Sequence, residues 1–330
     1  MEYRSNPDLP FIKSDWPGNP YKDGAFQYLS DPFYPDWKMV LRMMISPNPK
    51  AKAKRADHWT PPVHSTSHWF EDRENDFIVW LGHACFVIQL GGRRYITDPV
   101  LQGMPLVPRL VSPPFRTSAI PHLDYILISH DHRDHCDQTT LKDLLTNNSI
   151  LKILAPLGME QTIQDWIGDT TLETAGWFQQ YQQASTEPQL TFMPTRHWSR
   201  RWLHDFNRVL WGAFVLQYAD KTIYFGGDSA LHRGHYQTTA ELFPQIDYAL
   251  LPIGAYDPSY LMQGAHMNPE EATEAFGILG AKHFVPMHYG TYDLSNEPIS
   301  EPLQRVQAAM KKADQYEQLL VPKVNEVVYL

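Results

Sequence analysis

The stretch Tyr125-Ile-Leu-Ile-Ser-His130-Asp-His132-Arg-Asp134-His135 decides the fold of this chain. An apolar run typical of a buried strand is followed by four potential metal ligands within six residues. His130 and His132 point to the same side, because alternate side chains of an extended segment share a face. Asp134 and His135 can reach a second position about 3.5–4 Å away, the usual spacing of two-metal sites. A surface loop with chance histidines does not account for this pattern.

Three more ligand candidates follow later predicted strands, as a two-metal site requires: His197, Asp228 and His288. Asp228 is expected to bridge the metals, because the two glycines before it let the backbone approach closely. Together the seven residues make one His₃ position, one Asp–His₂ position and a shared carboxylate. Places remain for water and substrate, which indicates a catalytic rather than a structural site. Imidazoles with carboxylates suit Zn²⁺, and also Mn²⁺ or Fe²⁺, so we expect two Zn²⁺ ions.

Composition limits the classes of function and partner. The net charge of −9 argues against a nucleic-acid partner, since such proteins usually present a basic face. The two cysteines, Cys85 and Cys136, make no disulfide framework, so a reducing compartment is expected. Cys136 follows His135, but the neighbouring His and Asp already fill the ligand role. No secretory signal or apolar run of about 20 residues is visible, which predicts a cytoplasmic protein, at most peripheral to the inner membrane face.

Residues 1–75 differ in composition from the rest of the chain. Ten of the 27 prolines fall within residues 1–62, which predicts an irregular arm. Because the arm is rich in aromatic residues, we expect it to pack over a main domain at residues 76–330. Within the arm, Trp37–Ile45 is a short apolar helix candidate that precedes a basic run. The helix either docks on the core, the preferred interpretation, with a solvated charge run after it, or residues 37–55 contact an anionic membrane surface.

From Asp76 onwards strand and helix signals mix without a second break in composition, which predicts one α/β domain with two sheets. The predicted strands cover residues 77–80, 84–90, 93–97, 125–129, 153–155, 190–193, 209–217, 222–225, 248–252, 283–287 and 326–329. The predicted helices cover residues 138–145, 159–167, 269–279 and 302–312.

Further motifs follow one another in order between Trp80 and Asn296. They are Trp80-Leu-Gly-His-Ala84, Thr97-Asp-Pro99, the ligand stretch through Asp137, His197-Trp198, Val209-Leu-Trp-Gly212, Gly227-Asp228, Pro252-Ile-Gly-Ala-Tyr256, His266 with Asn268-Pro-Glu-Glu-Ala272, and His288-x-Gly-Thr291. In this order they resemble the metallo-β-lactamase superfamily, and within it the branch of N-acyl-phosphatidylethanolamine-hydrolysing phospholipase D and its bacterial relatives. The tyrosine motif ending at Tyr256 and the His266 segment point to that branch.

The resemblance implies a four-layer αβ/βα sandwich with a dinuclear metal site at the sheet edge. It also implies hydrolysis of an N-acyl-phosphatidylethanolamine-like phosphodiester by a metal-bridging hydroxide. The site residues that it implies are His130, His132 and His197 for one metal, Asp134, His135 and His288 for the other, and Asp228 as the bridge. Asp134 and Asp228 thereby serve catalysis, and His266 matches a substrate-contacting position.

Arg133 departs from the branch pattern, since the mammalian enzyme has a tyrosine there. Its guanidinium either pairs with an anionic group of the substrate or forms a surface pair with an acid. His266, and less strongly His83, is a candidate for contacting substrate and assisting the leaving oxygen; for both, the alternative is a structural histidine. Asp98 and Asp124 are expected to orient ligand imidazoles.

Other functions stay open at this stage. The same metals could hydrolyse a lactone or a thioester, because one fold hosts many chemistries. A regulatory or resistance-associated metal-binding protein without turnover is a second alternative. We expect a lipid or other small-molecule substrate and no nucleic acid, and a homodimer is left open as the assembly.

Overall fold

The N-terminal arm carries the first sheet of the protein. This computed structural model describes residues 1–34 and 37–330, so Pro35 and Asp36 of the arm lie outside it. Three antiparallel strands pair in chain order: β1 (Glu2–Arg4), β2 (Asn19–Lys22) and β3 (Ala25–Phe26). The turn between the last two is Asp23-Gly24 with both residues at positive φ, as this hairpin type requires. The arm is therefore more regular than its proline content predicts.

Two short helices complete the arm, α1 (Trp37–Ile45) and α2 (Ala51–Ala56). The helix predicted at 37–45 is confirmed, but its docking on the core is wrong, because none of its residues is buried. It lies against a single-turn helix further along the chain, where the Arg42 guanidinium stands 4.2 Å above the Tyr260 ring. No helix within the described residues is long and apolar enough to cross a membrane.

The first large sheet is built from the front half of the main domain. Its strands are β4 (Phe77–Gly82), β5 (Cys85–Leu90), β6 (Arg93–Thr97), β7 (Tyr125–Leu127), β8 (Lys152–Pro156) and β9 (Leu172–Ala175). Strands β4 to β6 are antiparallel, and β6 to β9 run parallel with α3 (Gln138–Asn147) and α4 (Glu160–Ile163) in their connections.

The second large sheet also combines antiparallel and parallel strand pairs. Its strands are β10 (Gln179–Gln180), β11 (Gln189–Met193), β12 (Ala213–Tyr218), β13 (Lys221–Phe225), β14 (Tyr248–Pro252) and β15 (His283–Met287). Its connections and the C-terminal segment carry the helices α5 (Arg233–Leu242), α6 (Ser259–Met262), α7 (Pro269–Leu279) and α8 (Glu301–Lys312). The last strand, β16 (Val327–Tyr329), returns to the first sheet and pairs antiparallel with β4.

Alternate side chains along a strand face opposite sides of the sheet and therefore contribute to two different cores. On β4, Ile78 and Trp80 face the large core shared by the two sheets, whereas Phe77 and Val79 face a second core under α3 and α4. The buried face of α7, including Phe276, joins the core of the second sheet. The result is a mixed α/β fold in which helices cover sheets that pack face to face, as expected.

The parallel strands bring the ligand candidates to one edge. Strands β6 and β7 pair in parallel in the first sheet, and β13, β14 and β15 pair in parallel in the second. The residues after the carboxyl ends of four of these strands, β6, β7, β13 and β15, include Asp98, His130, Asp228 and His288. Loops at the carboxyl ends of parallel strands are the usual place for a site in such sheets.

Several predicted elements need correction. The predicted strand 209–217 begins only at Ala213, because Leu210 and Gly212 donate hydrogen bonds to Leu157 and Ser129 of the first sheet's loops. Strands β9 and β10 and helix α5 were not predicted. The edge strand β10 has two residues, and α5 buries only Tyr236 and Thr239, so neither carries a clear apolar period.

Candidate metal centre

Three imidazoles converge at a first position. His130 Nε2 lies 2.8 Å from His132 Nδ1, and His197 Nε2 lies 3.1 Å from the same atom. Burial lowers the pKa of His130 and of His197 well below the ordinary value, so both rings are neutral. Neutral imidazole nitrogens that face one point are the donor set that a transition metal needs.

A second position lies beside the first and uses a carboxylate. Asp134 Oδ2 lies 3.4 Å from His288 Nε2 and 3.6 Å from His135 Nε2. His83 joins this group: its ligand atoms and those of Asp134, His135 and His288 all lie within 4.8 Å of one another. The structure thus adds one imidazole to the three residues expected there.

Asp228 stands between the two positions. Its Oδ2 lies 3.2 Å from the Nε2 atoms of both His135 and His288, and 3.7 Å from His197 Nε2. Burial opposes its ionisation, but the imidazoles of His135 and His288 outweigh burial and hold the pKa of Asp228 well below its usual range. The carboxylate is therefore ionised and faces donors from both groups, as a bridging ligand must.

Orphaned polar atoms provide the test of whether metals fit. Both carboxylate oxygens of Asp228 and the Nε2 atoms of His135 and His288 are buried and find no hydrogen-bond partner among residues 1–34 and 37–330. Leaving such groups unmatched is costly, and bound cations would satisfy them. The donor set therefore fits two divalent transition-metal ions.

Several ligand rings are held from behind by other groups. His135 Nδ1 lies 2.7 Å from Asp98 Oδ2, and Asp98 also accepts hydrogen bonds from the backbone and hydroxyl of Ser129. Ser129 Oγ lies 2.9 Å from His130 Nδ1, and His197 Nδ1 lies 2.9 Å from the Ala265 carbonyl oxygen. The prediction for Asp98 is confirmed, whereas the sequence carried no signal for Ser129 or Ala265 as partners.

The prediction that Asp124 orients a ligand is wrong. Its carboxylate accepts hydrogen bonds from the Arg93 guanidinium at 3.2 Å and from the Arg94 backbone at 2.8 Å. Cys136 is buried, and burial raises the pKa of its thiol to about 12, so it stays protonated.

His266 lies beside the centre, and its contact with substrate stays a prediction. Its ring centroid lies 5.1 Å from that of His197, and its Nδ1 lies 3.7 Å from Asp228 Oδ2. Burial lowers the pKa of His266 to about 4, so the ring is neutral at pH 7. It also lines a cavity of about 380 Å³ together with Lys50, Tyr256 and Arg305.

Arg133 stacks on an aromatic ring, and no salt bridge joins it to an acid within the described residues. Its guanidinium carbon stands 4.6 Å above the ring of Trp202, and Nη2 donates to the Arg201 carbonyl oxygen at 3.4 Å. Trp202 is 66% exposed and was not singled out in the sequence, although an aromatic residue after two arginines is a visible signal. The stack holds the Arg133 side chain beside the ligand loop, and its contact with substrate stays a prediction.

Comparison with known proteins agrees with this geometry. The family model of the beta-lactamase superfamily domain matches residues 93–289. The chain is 30% identical to N-acyl-phosphatidylethanolamine-hydrolyzing phospholipase D 1 of Caenorhabditis elegans, over 83% of this chain and 81% of the relative. It is 31% identical to a metal-dependent hydrolase of Pyrobaculum aerophilum, over 71% of this chain and 93% of the relative. A metallo hydrolase from Ignicoccus hospitalis has a similar fold, with a TM-score of 0.56 and 19% identity over 78% of this chain and 99% of the other.

Proposed function

This chain belongs to the metallo-β-lactamase superfamily and is a metal-dependent hydrolase of that fold, and from this premise we propose that it hydrolyses phosphodiesters in the manner of a phospholipase D. The substrate that we propose is an N-acyl-phosphatidylethanolamine or a related lipid phosphodiester. The observation that carries the proposal is the shared carboxylate of Asp228, which faces both ligand groups next to the cavity that His266 lines. The non-catalytic alternative is set aside, because the relatives are hydrolases.

Two bound ions, Zn²⁺ in our proposal, supply Lewis acidity and an acidified water at neutral pH. The chain's part is to hold them with the residues of the two positions and with Asp228. In the proposed reaction the water oxygen becomes bonded to phosphorus, and the bond from phosphorus to the alcohol oxygen of the leaving N-acylethanolamine breaks. One proton of the attacking water is transferred to the leaving oxygen. His266 is the residue next to the centre that can donate a hydrogen bond to that oxygen, because its ring is neutral and its Nδ1 has no partner within the described chain.

The shape of the site suits a substrate with a polar head. The cavity beside His266 is lined by residues of both charge signs, including Lys50, Asp257 and Arg305. A second cavity of about 780 Å³ shares Gln263 and Glu271 with it, and its mostly polar lining includes Phe33 and Met39 of the arm. The two cavities adjoin one another between His266 and Met39 of α1, which supports a substrate with a charged centre and an extended remainder.

Helix α1 supports contact with a lipid surface, the second part of this proposal. Met44 and Ile45 are 78% and 72% exposed, and Met39 lines the larger cavity. Exposed apolar side chains next to basic residues suit an anionic bilayer surface. Two basic residues after α1 form ion pairs, although the sequence predicted a solvated charge run: Lys50 Nζ lies 3.1 Å from Asp257, and Lys54 pairs with Asp293. From the exposed apolar side chains of α1 we propose a cytoplasmic enzyme that binds the membrane surface peripherally.

A substrate panel with isotopic labelling tests the reaction. The protein reconstituted with Zn²⁺ would be given N-acyl-phosphatidylethanolamine, bis(p-nitrophenyl) phosphate, a γ-lactone and a thioester in water enriched in ¹⁸O. We expect the lipid to be cleaved fastest, with one ¹⁸O atom in the phosphatidate and none in the N-acylethanolamine. Asp228→Ala protein serves as the blank for contaminating activities.

Two results would overturn the proposal. Faster turnover of the lactone or thioester than of either phosphodiester would assign the alternative hydrolysis. Label in the released alcohol would show attack at carbon instead of phosphorus. The assembly, monomer or homodimer, stays a prediction to be measured by sedimentation with and without lipid.

A further inference from the structure

His83 occupies the turn between β4 and β5 and is held there by several contacts. Its backbone N–H donates to Thr291 Oγ1 at 2.7 Å, and its carbonyl oxygen accepts from Trp80 Nε1 at 2.9 Å and from the His288 backbone at 3.1 Å. The strand pairing shifts register between Trp80 and Gly82, as in a β-bulge. Such irregularities next to active sites re-aim a side chain.

The backbone of His83 is strained in a way that points to function. Its φ of 56° lies in the left-handed region, which only a small fraction of residues with a side chain adopt. Strain of this kind persists where surrounding contacts over-determine the position, and it concentrates at functional sites. The preceding Gly82 cannot be replaced freely either, because a Cβ there would stand 2.4 Å from Arg109 Nη2.

The side chain that this backbone positions reaches a ligand carboxylate. His83 Nε2 lies 3.1 Å from Asp134 Oδ2, the same oxygen that faces His288 and His135. The ring also packs on His288, with centroids 4.0 Å apart, and stands edge-on to Tyr292. Asp134 is the more exposed of the two ligand carboxylates, with 17% of its side chain accessible against 1% for Asp228. It therefore has more freedom to turn away from the second position.

We infer that His83 is a positioning residue of the second metal position, which holds Asp134 by a hydrogen bond from Nε2–H to Oδ2. It would do for this carboxylate what Asp98 does for His135 and what the Ala265 carbonyl oxygen does for His197. The role differs from the contact with substrate expected from sequence. It rests on the paired metal positions of the proposed function, but not on the identity of the substrate.

Two amide substitutions test the inference, because they differ by one methylene in reach. His83→Gln can place an N–H near the original Nε2, whereas the shorter amide of His83→Asn cannot reach Asp134. Asn also tolerates the left-handed backbone, so this variant removes the hydrogen bond without new strain. Stepwise binding of Co²⁺ to the chelator-treated full chain, followed by visible absorption and by competition with a chelator, reports the two positions without any substrate.

We expect His83→Asn to weaken binding of the second Co²⁺ ion by roughly 10–100-fold and to change the first by less than about threefold. His83→Gln should bind both ions within about threefold of the unmodified protein. Circular dichroism of the metal-free variants serves as the control for folding. If His83→Asn does not fold, His83→Gln compared with His83→Leu carries the same contrast.

Three outcomes would overturn the inference. Unchanged binding of both ions by His83→Asn would show that His83 does not position Asp134. A loss of turnover with both ions retained would instead indicate that His83 assists the leaving oxygen. Equal loss of the second ion in His83→Gln and His83→Asn would make the imidazole itself a ligand. The binding results do not depend on whether a phosphodiester is the substrate, so a failure of the proposed reaction remains distinguishable.

Discussion

The metal centre and helix α1 both invert the usual distribution of residues, but in opposite senses. The centre buries charged and polar groups, with Asp228 and His135 almost fully shielded from solvent, whereas α1 exposes Met44 and Ile45. Buried charge and exposed apolar surface are each informative in a folded protein. Hydrogen bonds from groups behind them hold the ligand rings of the centre, whereas α1 packs against α6 with none of its residues buried. Changes in the centre should therefore affect chemistry, and changes in α1 should affect only the proposed binding to a lipid surface.

The largest effect is expected from Asp228→Ala, because the carboxylate faces both ligand groups. We expect the content of both metal positions to fall and turnover to drop by more than the roughly 10²–10⁴-fold that acid–base assistance alone supplies. Elemental analysis of undialysed protein and turnover of N-acyl-phosphatidylethanolamine would measure this. Two retained metals with full activity would remove the bridging role from Asp228.

The second largest effect is expected from His266→Ala. The residue packs against His197 and lies near Asp228 without being one of the seven predicted ligands, so metal content and fold should be kept. Its kcat should drop by about 10²–10⁴-fold if it assists the leaving oxygen. The matched control is His283→Ala, a histidine at the start of β15, at the edge of the sheet away from the metals. Equal activity of both variants would make His266 a structural residue.

A smaller effect is expected at Arg133. If its planar guanidinium contacts an anionic part of the substrate, Arg133→Lys should be nearly as harmful as Arg133→Ala, because lysine cannot reproduce that geometry. We expect KM to rise by roughly 10- to 100-fold on an anionic lipid, with less change on a neutral substrate. Trp202→Ala should repeat part of the loss, since this ring supports the guanidinium. Identical losses on charged and neutral substrates would show that Arg133 does not select for charge.

The smallest effect on chemistry is expected from α1. Replacing Met44 and Ile45 together by serine should leave metal content and turnover of bis(p-nitrophenyl) phosphate unchanged, because neither side chain is buried. Binding to anionic vesicles should weaken several-fold to about tenfold, since less apolar surface would leave water. Leu151→Ser is the control, because it is also exposed but precedes β8, away from the metal edge. Equal vesicle binding of both variants would separate α1 from the membrane.

Elements with strong local signals could be predicted to the residue. Helix α7 begins and ends as predicted, because Asn268 caps it in a capping box with Glu271 and Gly280 closes it in the left-handed conformation. Strands β6, β14 and β15 also match their predicted bounds, since each is a short run between clear breaks. The start of β12 was missed, because the residues before Ala213 are as apolar as the strand and leave it only through contacts with the first sheet.

The sequence by itself determined the kind of residues at the centre and their order along the strands, because ligand spacing after an apolar run is a local property. Only the tertiary structure decided which groups stand behind the ligands. Asp98 and Asp124 look equivalent in the sequence, one after β6 and the other before β7. These strands are parallel, so the end of one and the start of the other lie at opposite edges of the sheet. Asp98 therefore reaches His135, and Asp124 reaches Arg93 and Arg94.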